Sequence, residues 1–292
     1  MSTNHSILRR VMSRFPARAL SIATIIGLAV SLAACAPTGD TPGTSGSEGT
    51  ITPGTLTIGT GQPAYYPWAI DDKPESGEGF EAAIAYAVAD ELGYDKDHVA
   101  WVRTTFDQAI APGPKDFDVN LQQFTINDQR KQAVDFSSSY YETTQAVITV
   151  AGSPAENAST IADLKGLLIG AMTGTTSFTA IEDQIAPTTG AQAFNSNDDA
   201  KLALQNGIVD AIVVDLPTAF YLTGVELEGG KIIGQLPKAD GQTGDQFGLV
   251  LEKDSPLTAK VTAAVDTLRA NGTLQKIADK WLAEAAEAPV LQ

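Results

Sequence analysis

Strand-like and helix-like segments alternate along this chain from residue 55 onward, and this order limits the possible fold more than any other feature. Residues 55–60 (TLTIGT) have the period-two pattern of a strand, and residues 79–93 repeat apolar side chains at the helical period. Further strand patterns follow at 98–104 and 118–123, with a short helix pattern between them. This β-α-β-α order predicts a mainly parallel sheet with helices on both faces.

A second α/β series follows a long strand-like run at 142–150 and ends with two amphipathic helix patterns. Two series joined by extended crossings predict an α/β fold of two lobes with a hinge, each lobe a mainly parallel sheet flanked by helices. We assign 55–143 with 248–292 to lobe 1, and 144–247 to lobe 2. Ligands of such sheets bind at the carboxyl ends of the strands, so the cleft between the lobes is the expected site.

The N-terminal residues 1–34 have the composition of a secretory signal peptide. Four arginines precede an apolar stretch of 16 residues, which is short for a membrane-spanning helix because that needs about 20. Cys35 is the only cysteine, so the chain cannot form an internal disulfide. The four residues LAAC resemble the lipobox of bacterial lipoproteins, which implies a lipidated Cys35 at the mature N-terminus. The alternative is a signal peptide with an unrelated cysteine.

Residues 36–54 are rich in Gly, Thr, Ser and Pro, which is typical of a flexible tether between an anchor and a globular body. The formal net charge of the chain is -16. So acidic a protein is not expected to bind nucleic acid, because phosphates need basic patches. The sequence contains no Ser/His/Asp set, metal-ligand cluster or phosphate-binding loop, and we expect neither a cofactor nor a metal.

Polar residues follow the strand pattern at 118–123. Gln123 and Thr125 are expected at its carboxyl end, and Arg130 lies in a helix-like segment that begins at about Asn127. A helix N-terminus, a hydroxyl and a guanidinium together would bind one carboxylate with charge-assisted hydrogen bonds. The alternative is an ordinary strand-to-helix turn with a capping Thr and a solvated Arg.

Asp215 ends the most apolar strand pattern of the second series and precedes a helix pattern. An Asp there could cap the helix, or it could bind an ammonium group across the cleft from Arg130, in which case the ligand is a zwitterion. Thr175 and Thr176 begin another helix pattern of this lobe. Their backbone N–H groups could complete a carboxylate site, and the alternative role is again capping.

Three aromatic residues follow predicted strands of the first lobe: Tyr65 and Trp68 in QPAYYPW, and Phe106 in RTTFDQ. Aromatic side chains in such loops could cover the apolar stem of a ligand. For each of them packing in the core is the alternative.

In order and spacing, these segments resemble the extracytoplasmic solute-binding proteins of ABC transporters for polar amino acids. The resemblance extends from about residue 54 to 282 and depends on GTLTIGT with YYPW, GEGFEAAIAYAVADELG, FTINDQR with AVDFSSSYY, IADLKGLLIGAMTGTT, NGIVDAIVVD, QFGLVLEKDSPL and NGTLQKIADKW. It implies a two-lobed fold of the periplasmic-binding-protein type and binding of an L-amino acid. It also implies the membrane subunits of an ABC permease as partners.

The resemblance implies a role for each matching residue. Thr125 and Arg130 would bind the α-carboxylate of the ligand, and Thr176 would add a backbone donor. Asp215 would bind the α-ammonium group, and Tyr65 would stack on the ligand.

Phe106 matches the opposite wall of the family's pocket, and Trp68 belongs to the aromatic group beside Tyr65. Gln123 stands where the family usually has a small residue, and its amide could narrow the pocket or contact the ligand side chain. Gln62 stands where receptors for basic or amide side chains often have Asp. The neutral side chain of Gln62 argues against an arginine or lysine ligand.

We therefore expect a monomeric, non-enzymatic, lipid-anchored binding protein outside the cytoplasm of a bacterium. An enzyme of the same fold, similar to cyclohexadienyl dehydratase, is an alternative in which Glu81 or Glu142 would be the general acid. An amino-acid sensor is the other alternative.

Overall fold

The structure, a computed structural model, describes residues 49–238, 244–283 and 288–292. The predicted signal peptide, Cys35 and most of the predicted tether lie outside the described residues. In the described residues no helix is both long and apolar enough to cross a membrane.

Two kinds of regular element alternate along the described chain. The strands are β1 Leu56–Thr60, β2 Val99–Arg103, β3 Val119–Asn120, β4 Val134–Phe136, β5 Tyr141–Thr143, β6 Gln145–Val150, β7 Ile169–Met172, β8 Gln192–Phe194, β9 Ala211–Asp215, β10 Gly230–Gln235, β11 Asp245–Phe247 and β12 Val250–Glu252. The α-helices are α1 Phe80–Glu91, α2 Phe106–Ile110, α3 Ile161–Leu164, α4 Thr176–Ala180, α5 Asn197–Gln205, α6 Leu216–Tyr221, α7 Thr258–Ala270 and α8 Thr273–Trp281. Short 3₁₀ turns lie at Ile70–Asp72, Pro74–Ser76, Lys96–His98 and Arg130–Gln132, and π-helical turns extend α4 and α6 at Ile181–Ile185 and Leu222–Glu226.

The strands form two five-stranded sheets, which confirms the predicted two-lobed α/β fold. The first sheet has the order β2-β1-β3-β12-β4, and the second has the order β10-β6-β9-β7-β8. Each sheet contains three neighbouring parallel strands, β2-β1-β3 in one and β9-β7-β8 in the other. The strands that follow the crossings, β12 and β6, pair antiparallel with their neighbours, so both sheets are mixed.

The two crossings between the sheets lie side by side. Strand β5 directly precedes β6, strand β11 directly precedes β12, and β5 and β11 pair antiparallel as a separate two-stranded ribbon. A narrow ribbon with no further strand is a suitable hinge between two lobes.

The C-terminal residues lie on the second sheet. The backbone N–H of Gln235 donates to the Pro289 carbonyl at 2.7 Å, and the Leu291 N–H donates to the Gln235 carbonyl at 2.8 Å. The chain thus returns to the second lobe after α8, although residues up to 292 were assigned to lobe 1. The remaining lobe boundaries stay a prediction.

The helix predicted from about Asn127 is wrong. The segment contains a single 3₁₀ turn, because the backbone before it is extended and pairs with the hinge: Ile126 N–H donates to the Gln246 carbonyl at 2.8 Å. The Asn127 side chain then accepts from the Arg130 N–H at 2.8 Å, which closes a turn in place of a helix.

Each lobe has its own core. In the first lobe α1, α7 and α8 pack against the sheet and bury Trp68, Phe80 and Phe247. In the second lobe apolar residues fill both faces of the sheet, in clusters that include Val147 on one face and Ile148 on the other. Successive residues of a strand point to opposite faces of the sheet, so the two clusters show that both faces are covered, as they are when helices pack on both sides.

Gly79 joins the start of α1 to the loop after β1. Its φ of 110° is a conformation that other residues rarely adopt, and a Cβ there would lie 2.6 Å from both the Ala69 Cα and the Trp68 carbonyl oxygen. The Glu81 N–H donates to that same carbonyl at 3.0 Å. The close approach therefore fixes the N-terminal turn of α1 on the loop.

We expect Gly79→Ala to lower the free energy of unfolding more than Gly93→Ala. Both glycines have positive φ, but a Cβ at Gly93 meets no atom within 4 Å, so that variant should cost only the backbone strain of about 1 to 2 kcal/mol. The clash at Gly79 adds to this strain. Urea denaturation of the two variants measures the difference, and equal losses would contradict the packing argument.

Candidate functional site

A cavity of about 180 Å³ lies between the lobes, at the carboxyl ends of the parallel strands. Residues from both lobes line it. Nine of the ten residues predicted to bind ligand are among the lining residues: Gln62, Tyr65, Trp68, Phe106, Gln123, Arg130, Thr175, Thr176 and Asp215. Thr125 is not a lining residue, but its hydroxyl lies 3.2 Å from the hydroxyl of Thr176, which is one.

Arg130 crosses from one lobe to the other. Its Nη1 donates to the Thr125 carbonyl at 2.7 Å, and its Nη2 donates to the Gly174 carbonyl of the second lobe at 3.0 Å. The guanidinium carbon lies 5.1 Å from the centre of the Phe106 ring. Burial lowers the pKa of Arg130 to about 10, and nearby acids oppose that shift, so the side chain is cationic at neutral pH.

The threonines of the site have different roles. The hydroxyls of Thr125 and Thr176 lie 3.2 Å apart across the lobes, and Thr176 also donates to Asp245 at 2.9 Å. The Thr175 hydroxyl accepts from the Phe178 N–H at 3.2 Å, so the side chain of Thr175 caps α4. The side chain of Thr175 therefore has the capping role that was given as its alternative. Thr175 also lines the cavity.

Asp215 lies just before α6 but makes no side-chain capping bond. Its Oδ1 accepts from Nε2 of Gln145 at 2.8 Å, and the same nitrogen donates to Asp245 at 2.5 Å. Burial, together with the nearby Asp245, raises the pKa of Asp215 to about 8, although Gln145 and Arg130 oppose the shift. Two carboxyl groups thus share one amide donor beside the cavity.

Glu81 adds a third acid to the wall. It accepts from the Gln123 N–H at 2.8 Å, and the Gln123 amide and the Tyr140 hydroxyl also donate to it. Burial raises the pKa of Glu81 to about 7, although these donors oppose the shift. The Gln123 backbone has a φ of 52°, so this pairing holds it in a left-handed conformation.

The aromatic residues contribute to the cavity and to the packing around it. Phe106 stacks on Phe124 with ring centres 4.8 Å apart. Trp68 is 2 % exposed and is mainly a core residue, in agreement with the alternative given for it. Tyr65 is half-buried, and its hydroxyl donates to Asp198 at 2.8 Å.

The cleft is closed in this structure. Tyr65 reaches Asp198 in α5, and the Trp68 Nε1 donates to Thr218 in α6 at 3.2 Å. These two hydrogen bonds join the lobes in addition to the bonds that Arg130 makes. They therefore stabilise the closed arrangement through groups on the cavity rim.

The sequence analysis did not predict several residues that line the cavity or lie next to it. Gln122 follows β3, Gln145 lies within an otherwise apolar strand, and Asp245 lies on the hinge ribbon. The polar Gln145 at the start of the mainly apolar run QAVITV is a signal that could have identified it. No such signal marks Asp245, because only the pairing of β11 with β5 brings it to the site.

The chain is similar to known amino-acid-binding proteins. The model of the bacterial extracellular solute-binding proteins, family 3, matches residues 56–284. The L-arginine-binding protein of Pseudomonas aeruginosa is 32 % identical over 225 residues, which cover 75 % of this chain and 84 % of that protein.

Solved structures show the same similarity. An ancestral arginine-binding protein bound to arginine is 30 % identical, with a TM-score of 0.64 over 78 % of this chain and 98 % of that one. The ancestral amino-acid-binding protein AncCDT-1, described as a precursor of cyclohexadienyl dehydratase, is 28 % identical, with a TM-score of 0.63 over 78 % of this chain and 95 % of that one.

Proposed function

Because the chain belongs to family 3 of the bacterial extracellular solute-binding proteins, we propose that it captures an L-amino acid between its lobes for an ABC importer. The observation that carries this proposal is that a cationic side chain and an acidic one line the same cavity, Arg130 from one lobe and Asp215 from the other. A zwitterion is the complementary ligand.

Arg130 is the proposed partner of the α-carboxylate. Its two hydrogen bonds within the described residues go to backbone carbonyls, which orient the guanidinium without neutralising it. A guanidinium has five N–H donors, so donors remain for a carboxylate. The Thr125 hydroxyl and the N–H of Thr176 at the start of α4 are the proposed additional donors.

Asp215 is the proposed partner of the α-ammonium group. It lies partly buried beside Asp245, and two neighbouring carboxylates that are shielded from water repel each other. A bound ammonium relieves this repulsion. Tyr65 and Phe106 are the proposed walls around the stem of the ligand, and Gln62, Trp68, Gln123 and Thr175 are the remaining proposed contact residues.

Delivery follows from closure of the lobes on the hinge ribbon. The closed form presents both lobes to the permease in one fixed arrangement, and the open form does not. We propose further that a lipid on Cys35 anchors the mature protein, as a monomer, to the outer face of a membrane. The sequence LAAC and the tether after it support this anchor.

We expect Arg130→Ala and Asp215→Ala each to weaken amino-acid binding by about 2 to 5 kcal/mol, because each leaves a buried charge of the ligand unpaired. A thermal-shift screen of the twenty amino acids identifies the ligand, and calorimetry measures the loss. The exposed Lys131→Ala, next to Arg130 in the chain, is the control and should bind like the unchanged protein. Full affinity in both cavity variants would refute the zwitterion site.

Binding should strengthen as the pH rises from 6 to 8. The pKa of Asp215 is about 8 in the free site, and a bound ammonium favours the ionised form, so binding releases a proton below that pH. Affinity then rises by up to about tenfold per pH unit. Calorimetry in buffers of different ionisation enthalpy detects the released proton, and Asp215→Asn should abolish this dependence. A pH-independent affinity would contradict the assignment.

An enzyme of the same fold is the second candidate, because Glu81 is a buried carboxyl group on the cavity wall with a pKa of about 7. Such a group is suited to general acid catalysis. Glu142, the other acid considered, instead binds Lys238 at 2.8 Å on the surface. We expect the ligand to be recovered unchanged after long incubation with the protein. Turnover that is lost in Glu81→Gln would establish the enzyme instead.

A further inference from the structure

Three polar side chains line the cavity where neighbouring parallel strands end. Gln62 follows β1, Thr104 follows β2, and Gln122 follows β3. Because β2, β1 and β3 are adjacent in the sheet, these residues form one continuous part of the wall in the first lobe. They are all neutral.

The Gln122 amide has no partner in the protein as described. Its Oε1 is buried and receives no hydrogen bond from any described residue. The amide lies against Gly61, where a Cβ would come within 2.9 Å of the Gln122 Nε2. A buried acceptor without a donor is unfavourable. Because Gln122 lines the cavity, a rotation of its side chain would let the N–H of a ligand satisfy this oxygen.

The charged groups near this wall are already paired. Arg103 donates to the Gly61 carbonyl at 2.7 Å and to Asp72 at 2.6 Å, so neither the cation nor Asp72 is free for a ligand. Glu81 accepts from Gln123 and from Tyr140. Arg130 and Asp215 are assigned to the α-carboxylate and the α-ammonium of the ligand, so among the described residues that line the cavity no second cation remains for an acidic ligand side chain. The acid that remains for a basic one, Glu81, is buried and already accepts three hydrogen bonds.

We propose that Gln122, with Gln62 beside it, recognises a terminal carboxamide or ureido group, so that the ligand is a neutral amino acid such as glutamine, asparagine or citrulline. A primary amide both donates and accepts, so it can form reciprocal hydrogen bonds with the Gln122 amide. A guanidinium only donates and a carboxylate only accepts. This assignment rests on the proposed function, since Arg130 and Asp215 hold the α-carboxylate and the α-ammonium.

Calorimetry with L-glutamine, L-asparagine, L-citrulline, L-glutamate, L-arginine and L-methionine tests the assignment. We expect at least one of the three amides to bind about 100-fold or more tightly than glutamate and arginine. Gln122→Met should weaken binding of that amide by about 10- to 100-fold, because two hydrogen bonds are lost, and should change methionine binding less than about threefold. Gln132→Met, at an exposed position outside the cavity, should change neither affinity.

The variant should fold, because no described residue donates a hydrogen bond to the side-chain oxygen of Gln122. An unchanged melting temperature without ligand checks this. An unchanged affinity for the amide in Gln122→Met overturns the role of Gln122. Tightest binding of arginine or glutamate, lost in Arg130→Ala, overturns the carboxamide assignment and leaves the proposed function intact. No binding of any amino acid overturns both.

Discussion

The site depends on a buried guanidinium that is held by neutral groups. Arg130 is 7 % exposed, and within the described parts of the chain it donates to the backbone carbonyls of Thr125 and Gly174, one from each lobe. Burial of a cation is costly unless it is hydrogen-bonded, and carbonyl partners supply those bonds without cancelling its charge. The positive charge therefore remains available to the cavity, and its position depends on closure of the lobes.

On the acidic side of the cavity one neutral side chain holds two acidic groups, whereas on the cationic side two neutral groups hold one cation. Asp215 and Asp245 share the amide of Gln145, whose own oxygen accepts from the Ser177 hydroxyl at 2.6 Å, so one fully bonded side chain fixes two carboxyl groups. The hinge ribbon supplies Asp245, and the second sheet supplies Asp215. The same amide thus joins the acidic side of the cavity to the hinge ribbon, whereas Arg130 joins its cationic side to the opposite lobe.

Local patterns were enough for the order of the elements and for the residues just after strand ends, because periodicity and turn position are properties of short segments. They were not enough where contacts between residues far apart in the sequence determine the local conformation or the role of a side chain. The backbone before Arg130 pairs with the hinge, which prevents the predicted helix. Thr175 and Asp215 carry the same sequence signal for capping, yet only Thr175 caps its helix, since Gln145 binds Asp215 instead.

The contacts that close the cleft are of two kinds, and the difference affects affinity. Arg130 closes the cleft from within the cavity, whereas Tyr65 reaches Asp198 and Trp68 reaches Thr218 at the rim. Apparent affinity equals the intrinsic affinity multiplied by the fraction of molecules in the binding-competent form. The second-lobe partners in these bonds, Asp198 and Thr218, do not line the cavity, so they raise that fraction without contacting the ligand. If the closed form binds more tightly, residues such as Asp198 contribute to affinity, while the lining residues alone determine which side chain is recognised.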